Sequence, residues 1–185
     1  MLIRIAATLV AALMQMPLAA SAQGLDPENT IYMDIPAGRV VIKLRPDLAP
    51  NHVARVKELT RQGFYDGTPF HRVIPGFMAQ GGDPTGTGEG GSKLPDLKAE
   101  FSQVPFTRGM IGAARTDDPN SANSQFFIMY GDAPGLNGQY TIWGEVVSGM
   151  EFVDMIKKGD DDPNGMVTPP QDKIIKMQVA ADVKE

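Results

Sequence analysis

FHRVIPGFMAQGG, residues 70–82, sets a guanidinium and an amide among large apolar side chains, which ordinary core strands do not do. Its two halves, residues 70–74 and 77–80, read as short strands. Taken by itself, Arg72 is more often a surface ion-pair residue than a site. The same mixture recurs further on, as IGAAR at residues 111–115, SQFFI at residues 124–128 and LNGQY at residues 136–140. Because side chains alternate along a strand, Phe70 and Phe126 are expected to face the interior beside neighbours that do not.

Working outward, the chain from Thr30 onward offers eight strand-like stretches and two helix-like ones. Residues 31–35 and 39–44 form a hairpin about Pro36-Ala37-Gly38. Residues 110–114, 125–130, 139–144 and 173–180 supply the other strands. A first helix is expected from 50 to 62, with Val53, Val56 and Leu59 on one face and Gly63 closing it. A second begins at a capping box of Ser148 and Glu151, carries Met150 and Val153 on its apolar stripe, places Lys157 and Lys158 in its last turn, and ends at Gly159. Strands this short, divided by glycine-rich turns, favour a closed antiparallel barrel or a sandwich over a parallel α/β sheet. No internal repeat and no linker divides the chain.

Residues 1–22 read as a cleavable signal peptide, followed by a single domain from 23 to 185. Arg4 supplies the positive start, residues 5–19 are apolar apart from Thr8, Gln15 and Pro17, and Ala20-Ser21-Ala22 gives the small-x-small pattern before Gln23. A membrane anchor fits less well, because the stretch is short, holds Pro17 and lacks a basic stop-transfer cluster. Removal of Arg4 with the leader takes the net charge from -5 to -6, with no electrostatic footprint for nucleic acid or anionic lipid. The sequence has no cysteine, which excludes disulfides, thiolate nucleophiles and thiolate zinc sites. An exported domain of this kind must be stable through packing alone.

Several motifs fail on inspection. Gly86-Thr87-Gly88-Glu89-Gly90-Gly91 fits the dinucleotide pattern G-x-G-x-x-G, but Leu94-Pro95-Asp96 breaks the helix which that pattern must open. Asp160, Asp162, Asn164 and Gly165 match the start of a calcium loop. The closing position is Gln171 instead of Glu, and prolines constrain the backbone, so an acidic solvated turn is the better reading. His52 and His71 lack ligand partners at metal spacing, and His71 reads as a structural or rim residue. No G-x-S-x-G elbow is present for hydrolase chemistry.

The segments F-H-R-V-I-P-G-F-M-x-Q-G-G-D (residues 70–83) and S-Q-F-F-I (residues 124–128) resemble the cyclophilins, and the resemblance runs from Thr30 to Val179. It implies a mainly β fold, a closed eight-stranded antiparallel β-barrel capped by two α-helices, and peptidyl-prolyl cis/trans isomerase activity. Carried over by position, it places the catalytic group on Arg72, with Phe77 and Gln80 beside it. Met78, Phe127 and Leu136 complete a proline pocket with Phe77, and Ala114, Arg115, Gln125 and Tyr140 fall along the groove that holds the peptide. Three positions depart from the best-known eukaryotic pattern: Arg115 where asparagine is common, Gly135 where tryptophan often sits, and Tyr140 where histidine often sits. The altered rim at Gly135 and Tyr140 is where this protein's own specificity is expected to reside.

The resemblance requires no cofactor and no metal. Its partners would be proline-containing segments of unfolded or flexible exported proteins, met by a monomer in the periplasm or outside the cell, with no nucleic acid and no membrane after cleavage. A different class of function is a holdase that grips such segments without catalysis. Arg72 discriminates between the two, since a pure binder has no need of a donor aimed at the prolyl nitrogen.

Overall fold

The hairpin expected at the start of the domain forms β1 (Thr30–Ile35) and β2 (Gly38–Leu44), with Ile31 opposite Ile42 and Met33 opposite Val40. A computed structural model describes residues 24–184; the signal peptide expected at residues 1–22 lies outside them. Alternation puts Ile31, Met33 and Ile35 of β1 on the same buried face as Val40, Ile42 and Leu44 of β2. That face begins the main core.

The chain continues through α1 (Pro50–Arg61), β3 (Arg72–Ile74), β4 (Met78–Gly81), β5 (Met110–Ala113), β6 (Phe126–Met129), β7 (Ile142–Ser148), α2 (Met150–Asp154) and β8 (Lys176–Val179). The strands form one curled antiparallel sheet in the order β3-β4-β6-β5-β7-β2-β1-β8. β3 and β8 end that order, and residues 165–174 run between them. Val73 donates its backbone N–H to Gly165 at 2.7 Å, Val167 to His71 at 2.9 Å, Phe70 to Asp172 at 2.9 Å, and Ile174 to Thr68 at 2.9 Å.

Helix α1 buries Val53, Val56 and Leu59 as its spacing requires. Its N-cap, Ala49, makes no side-chain bond, and Glu100 supplies the missing acceptor: its carboxylate takes the N–H groups of Asn51 at 3.1 Å and His52 at 3.0 Å. After the helix, Gly63 (φ +68) reverses the chain and Phe64 N–H reaches Leu59 O at 3.0 Å.

Helix α2 starts and stops differently from the sequence expectation. Ser148 is the last residue of β7, paired with Val41, and no capping box forms. The cap is Gly149 at φ +88, where an added Cβ would lie 2.5 Å from Arg39 O. Steric room for the turn into the helix, rather than a polar side chain, selects this residue. The helix ends at Asp154, so Lys157 and Lys158 lie beyond it. The seventh strand also begins later than expected, because Gln139 N–H closes a turn on Leu136 O at 3.0 Å.

Two apolar clusters share the sheet. The main core holds Val73, Ala79, Ile111, Phe126 and Ile128, together with Phe70 and Trp143. The second cluster lies on the opposite face of the same strands and holds Met78, Phe127, Met129 and Ile142, with Phe106 packed among them. Strand alternation therefore separates a structural face from a second, smaller apolar face.

Candidate active site

Antiparallel pairing sets Arg72 opposite Gln80, Gln80 opposite Phe127, and Phe127 opposite Gly112. Directly opposed residues point to the same side of a sheet, with Cβ atoms within reach of one another. One row across β3, β4, β6 and β5 thus carries a guanidinium, an amide, an aromatic ring and a position without a side chain. The row lies over the second cluster.

Arg72 is held from two sides. Its Nε donates to Asn164 O at 2.8 Å and its Nη1 to Gln80 Oε1 at 3.1 Å, with Met78 Sδ 4.0 Å from Nη1. Nη2 has no hydrogen-bond partner among the described residues. Gln80 Nε2 donates to Gln125 Oε1 at 2.9 Å, and Gln125 Nε2 donates to the carbonyls of Gly88 and Gly90, each at 2.8 Å.

Beside the guanidinium is a cavity of about 180 Å³ lined by every expected site residue except Gln125. Arg72 and Gln80 stand on its polar side, with Phe77, Met78, Phe127 and Leu136 on its apolar one. Gln125 instead lines a larger adjoining cavity of about 520 Å³, which shares Gln80, Ala114 and Arg115 with the first. The two spaces form one groove along the outer face.

The floor depends on residues that the sequence reading did not single out. Phe127 stacks on Phe106 with ring centroids 5.7 Å apart, and Phe106 N–H donates to Asn137 Oδ1 at 2.8 Å, next to Leu136. Gly112 sits under the Phe127 ring, where an added Cβ would be 2.3 Å from Cζ. A glycine inside a strand signals such a close approach, and this was the available clue. Asn164 acts through its backbone carbonyl, which no residue type advertises. The acidic turn at residues 160–165 is exposed for most of its length, as expected, yet it also supports Arg72.

At the rim, the Arg115 guanidinium lies 4.4 Å from the centroid of the Tyr140 ring and donates through Nη2 to Gln139 O at 2.9 Å. Tyr140 in turn meets Phe127 edge-on at 5.6 Å. Two of the departing positions therefore act as one unit. Gly135, the third, has open space where a side chain would stand.

His71 is fully buried, in contrast to the rim position open to it from sequence, and neither ring nitrogen has a partner among the described residues. Burial pushes its pKa below the ordinary 6.5, and the nearby Asp83 carboxylate only partly opposes this. The unfolded chain takes up this proton near 6.5 and the folded chain only at lower pH, so stability is level above that value and is lost as pH falls through the window below it. The denaturation midpoint should fall on acidification through that window. His71→Gln should show a shallower fall, with His52, also held down by burial, keeping a residual slope. An unchanged slope in that variant refutes the assignment.

No group of three or more histidine, cysteine, aspartate and glutamate side chains placed to hold a metal occurs among the described residues. The family description "Cyclophilin type peptidyl-prolyl cis-trans isomerase/CLD" matches residues 30–179. A Brucella suis protein named "Probable peptidyl-prolyl cis-trans isomerase" is 56% identical over 175 residues, covering 89% of each chain. Peptidyl-prolyl cis-trans isomerase B of Bacillus subtilis is 43% identical over 124 residues, covering 66% of this chain and 85% of that one. Among solved structures, a cyclophilin from Hirschia baltica superposes with a TM-score of 0.76 at 28% identity, covering 86% of this chain and 77% of that one. A cyclophilin-type isomerase of Cryptosporidium parvum, crystallised in the presence of the dipeptide Ala-Pro, superposes at 0.73 and 28% identity, covering 81% of this chain and 98% of that one.

Proposed function

The chain belongs to the family of cyclophilin-type peptidyl-prolyl cis-trans isomerases, and from that premise we propose that its reaction runs on the row Arg72, Gln80 and Phe127, using proline-containing segments of exported proteins. The protein is thus an isomerase of X-Pro peptide bonds. The observation that carries the site assignment is an Arg72 held on two sides, with Nη2 uncommitted, on the polar wall of a cavity whose other side is Phe77, Met78, Phe127 and Leu136.

Rotation about an X-Pro amide breaks its resonance, and the barrier of roughly 18–20 kcal/mol is the lost double-bond character. At the twisted geometry the prolyl nitrogen regains a lone pair and becomes a hydrogen-bond acceptor, which it is not when planar. A fixed donor at that nitrogen therefore binds the transition state in preference to the ground state. Arg72 suits this role because its guanidinium stays charged and its donors are rigidly arrayed.

Shortening isomerisation from tens of seconds to milliseconds takes about four decades, or roughly 5.5 kcal/mol. One hydrogen bond to a charged group contributes about 1.5–3 kcal/mol. The rest falls to the pocket: Phe77, Met78, Phe127 and Leu136 grip the proline ring, while Gln80, Gln125 and the groove at Ala114 and Arg115 hold the peptide. Gripping one side as the other turns selects the twisted form, and a pocket poor in water weakens the solvation that favours the planar amide.

The leader-like residues 1–22 support export to the periplasm or beyond, where this reading has the protein act as a monomer. Residues 165–174 serve in this reading as the stave that completes the barrel between β3 and β8. Exchange spectroscopy on an Ala-Pro peptide should show millisecond interconversion with the protein present. Binding without acceleration would make the protein a holdase instead. The mass of the protein recovered from the cell envelope should correspond to a chain starting at Gln23, and an uncleaved cytoplasmic product would overturn the export reading.

A further inference from the structure

A glutamine amide has a donor end and an acceptor end of nearly equal shape, so its direction is set by its neighbours. The Arg72 guanidinium only donates, and Gln80 must therefore turn Oε1 toward it. This sends Gln80 Nε2 the other way, onto Gln125 Oε1, and sends Gln125 Nε2 onto the carbonyls of Gly88 and Gly90. Every link donates in one direction. The chain ends on a backbone loop rather than on solvent.

That loop is wrapped around a fully buried carboxylate, Asp83. Asp83 Oδ1 accepts from Thr85 N–H at 2.7 Å, and Oδ2 accepts from Thr87 N–H at 3.1 Å and Gly88 N–H at 2.6 Å. Gly88, at φ +90, gives its N–H to Asp83 and its carbonyl to Gln125. At Gly90 an added Cβ would run into Asp83 Oδ1, so the backbone that carries the second carbonyl lies against the carboxylate. Burial alone would raise the pKa of Asp83, but the hydrogen bonds it accepts from Thr85 and the loop backbone hold it below the usual range and keep it ionised.

We infer that Asp83, which lines neither cavity of the groove, is a positioning residue for Arg72: by fixing the carbonyls of Gly88 and Gly90 it fixes the direction of both glutamine amides and so the guanidinium itself. An ionised carboxylate accepts hydrogen bonds and donates none, so the loop amides close on it in one arrangement only. The inference rests on the reading of Arg72 as the donor to the prolyl nitrogen.

Asp83→Asn in the full chain keeps the shape but sets an NH₂ against backbone N–H groups. The expected result is a kcat roughly tenfold lower with KM changed by less than about twofold, because orientation in the transition state is lost and the groove is not. The side-chain amide resonances of Gln80 and the Nε–H resonance of Arg72 should shift as well, although the substitution touches neither residue. A folded Asp83→Asn protein with wild-type kcat and unmoved resonances overturns the proposal. Should that variant fail to fold, Thr85→Val decides: it keeps the shape but removes the hydroxyl that donates to Asp83 Oδ1 at 2.8 Å and Oδ2 at 3.0 Å, it is bonded to neither Gln80 nor Arg72, and unmoved Gln80 and Arg72 resonances in it overturn the proposal. Arg72→Ala, measured alongside, separates the two readings. Unaltered turnover there removes Arg72 as the donor, and the resonances alone then decide whether Asp83 sets its position.

Discussion

Arg72→Ala is expected to keep the fold and most of the peptide affinity while lowering kcat by roughly ten- to two-hundred-fold, the rate equivalent of one hydrogen bond to a charged group. The fold survives because the side chain is only partly buried and its two bonds go to a turn carbonyl and to Gln80, not into the main core. Affinity survives because Phe77, Phe127 and Leu136 still line the pocket. A loss confined to kcat identifies an interaction made in the transition state alone. Arg72→Lys should fall between, since a single ammonium cannot reproduce the planar fork that reaches Asn164 O and Gln80 Oε1 together. Exchange rates on an Ala-Pro peptide measure both variants, and a wild-type rate in Arg72→Ala would remove the guanidinium from the mechanism.

What the sequence made visible was side-chain chemistry near in the chain. The motif at residues 70–83 placed Arg72, Phe77, Met78 and Gln80 together because one hairpin carries them all, and that hairpin forms. Helix α1 was readable because Val53, Val56 and Leu59 must share a face at helical spacing. Its cap was not, since Glu100 reaches it from 48 residues away. The α2 boundary failed for a related reason: Ser148 and Glu151 satisfy a local rule, but the carbonyl of Arg39 leaves no room there for any residue except glycine. Register is the larger omission. Nothing in the sequence states that Gly112 stands opposite Phe127, or that Phe127 stands opposite Gln80, and yet that row is the site. Backbone acceptors such as Asn164 O, Gly88 O and Gly90 O are equally silent, because any residue type can supply them.

The row also predicts how a buried, chemically inert position controls the pocket. Gly112→Ala puts a methyl group 2.3 Å from Phe127 Cζ and 2.8 Å from Phe106 Cε1, distances at which a ring must move. Phe127 is stacked on Phe106 from one side and met by the edge of Tyr140 on another, and the open direction is the cavity of about 180 Å³ beside it. A ring displaced there occupies the volume proposed for the proline. Overpacking of this kind costs about 1–3 kcal/mol of stability, and a comparable loss of substrate packing raises KM by roughly five- to two-hundred-fold. Arg72 and Gln80 keep their bond, so the defect should appear in KM before kcat, the opposite of the Arg72→Ala pattern. Truncating the ring as well, in Gly112→Ala with Phe127→Leu, should recover part of the stability without restoring affinity, because the clash is relieved but the aromatic wall is gone. Titration of an Ala-Pro peptide by NMR against both variants reads the effect directly, and wild-type affinity in Gly112→Ala would show that the ring yields away from the cavity.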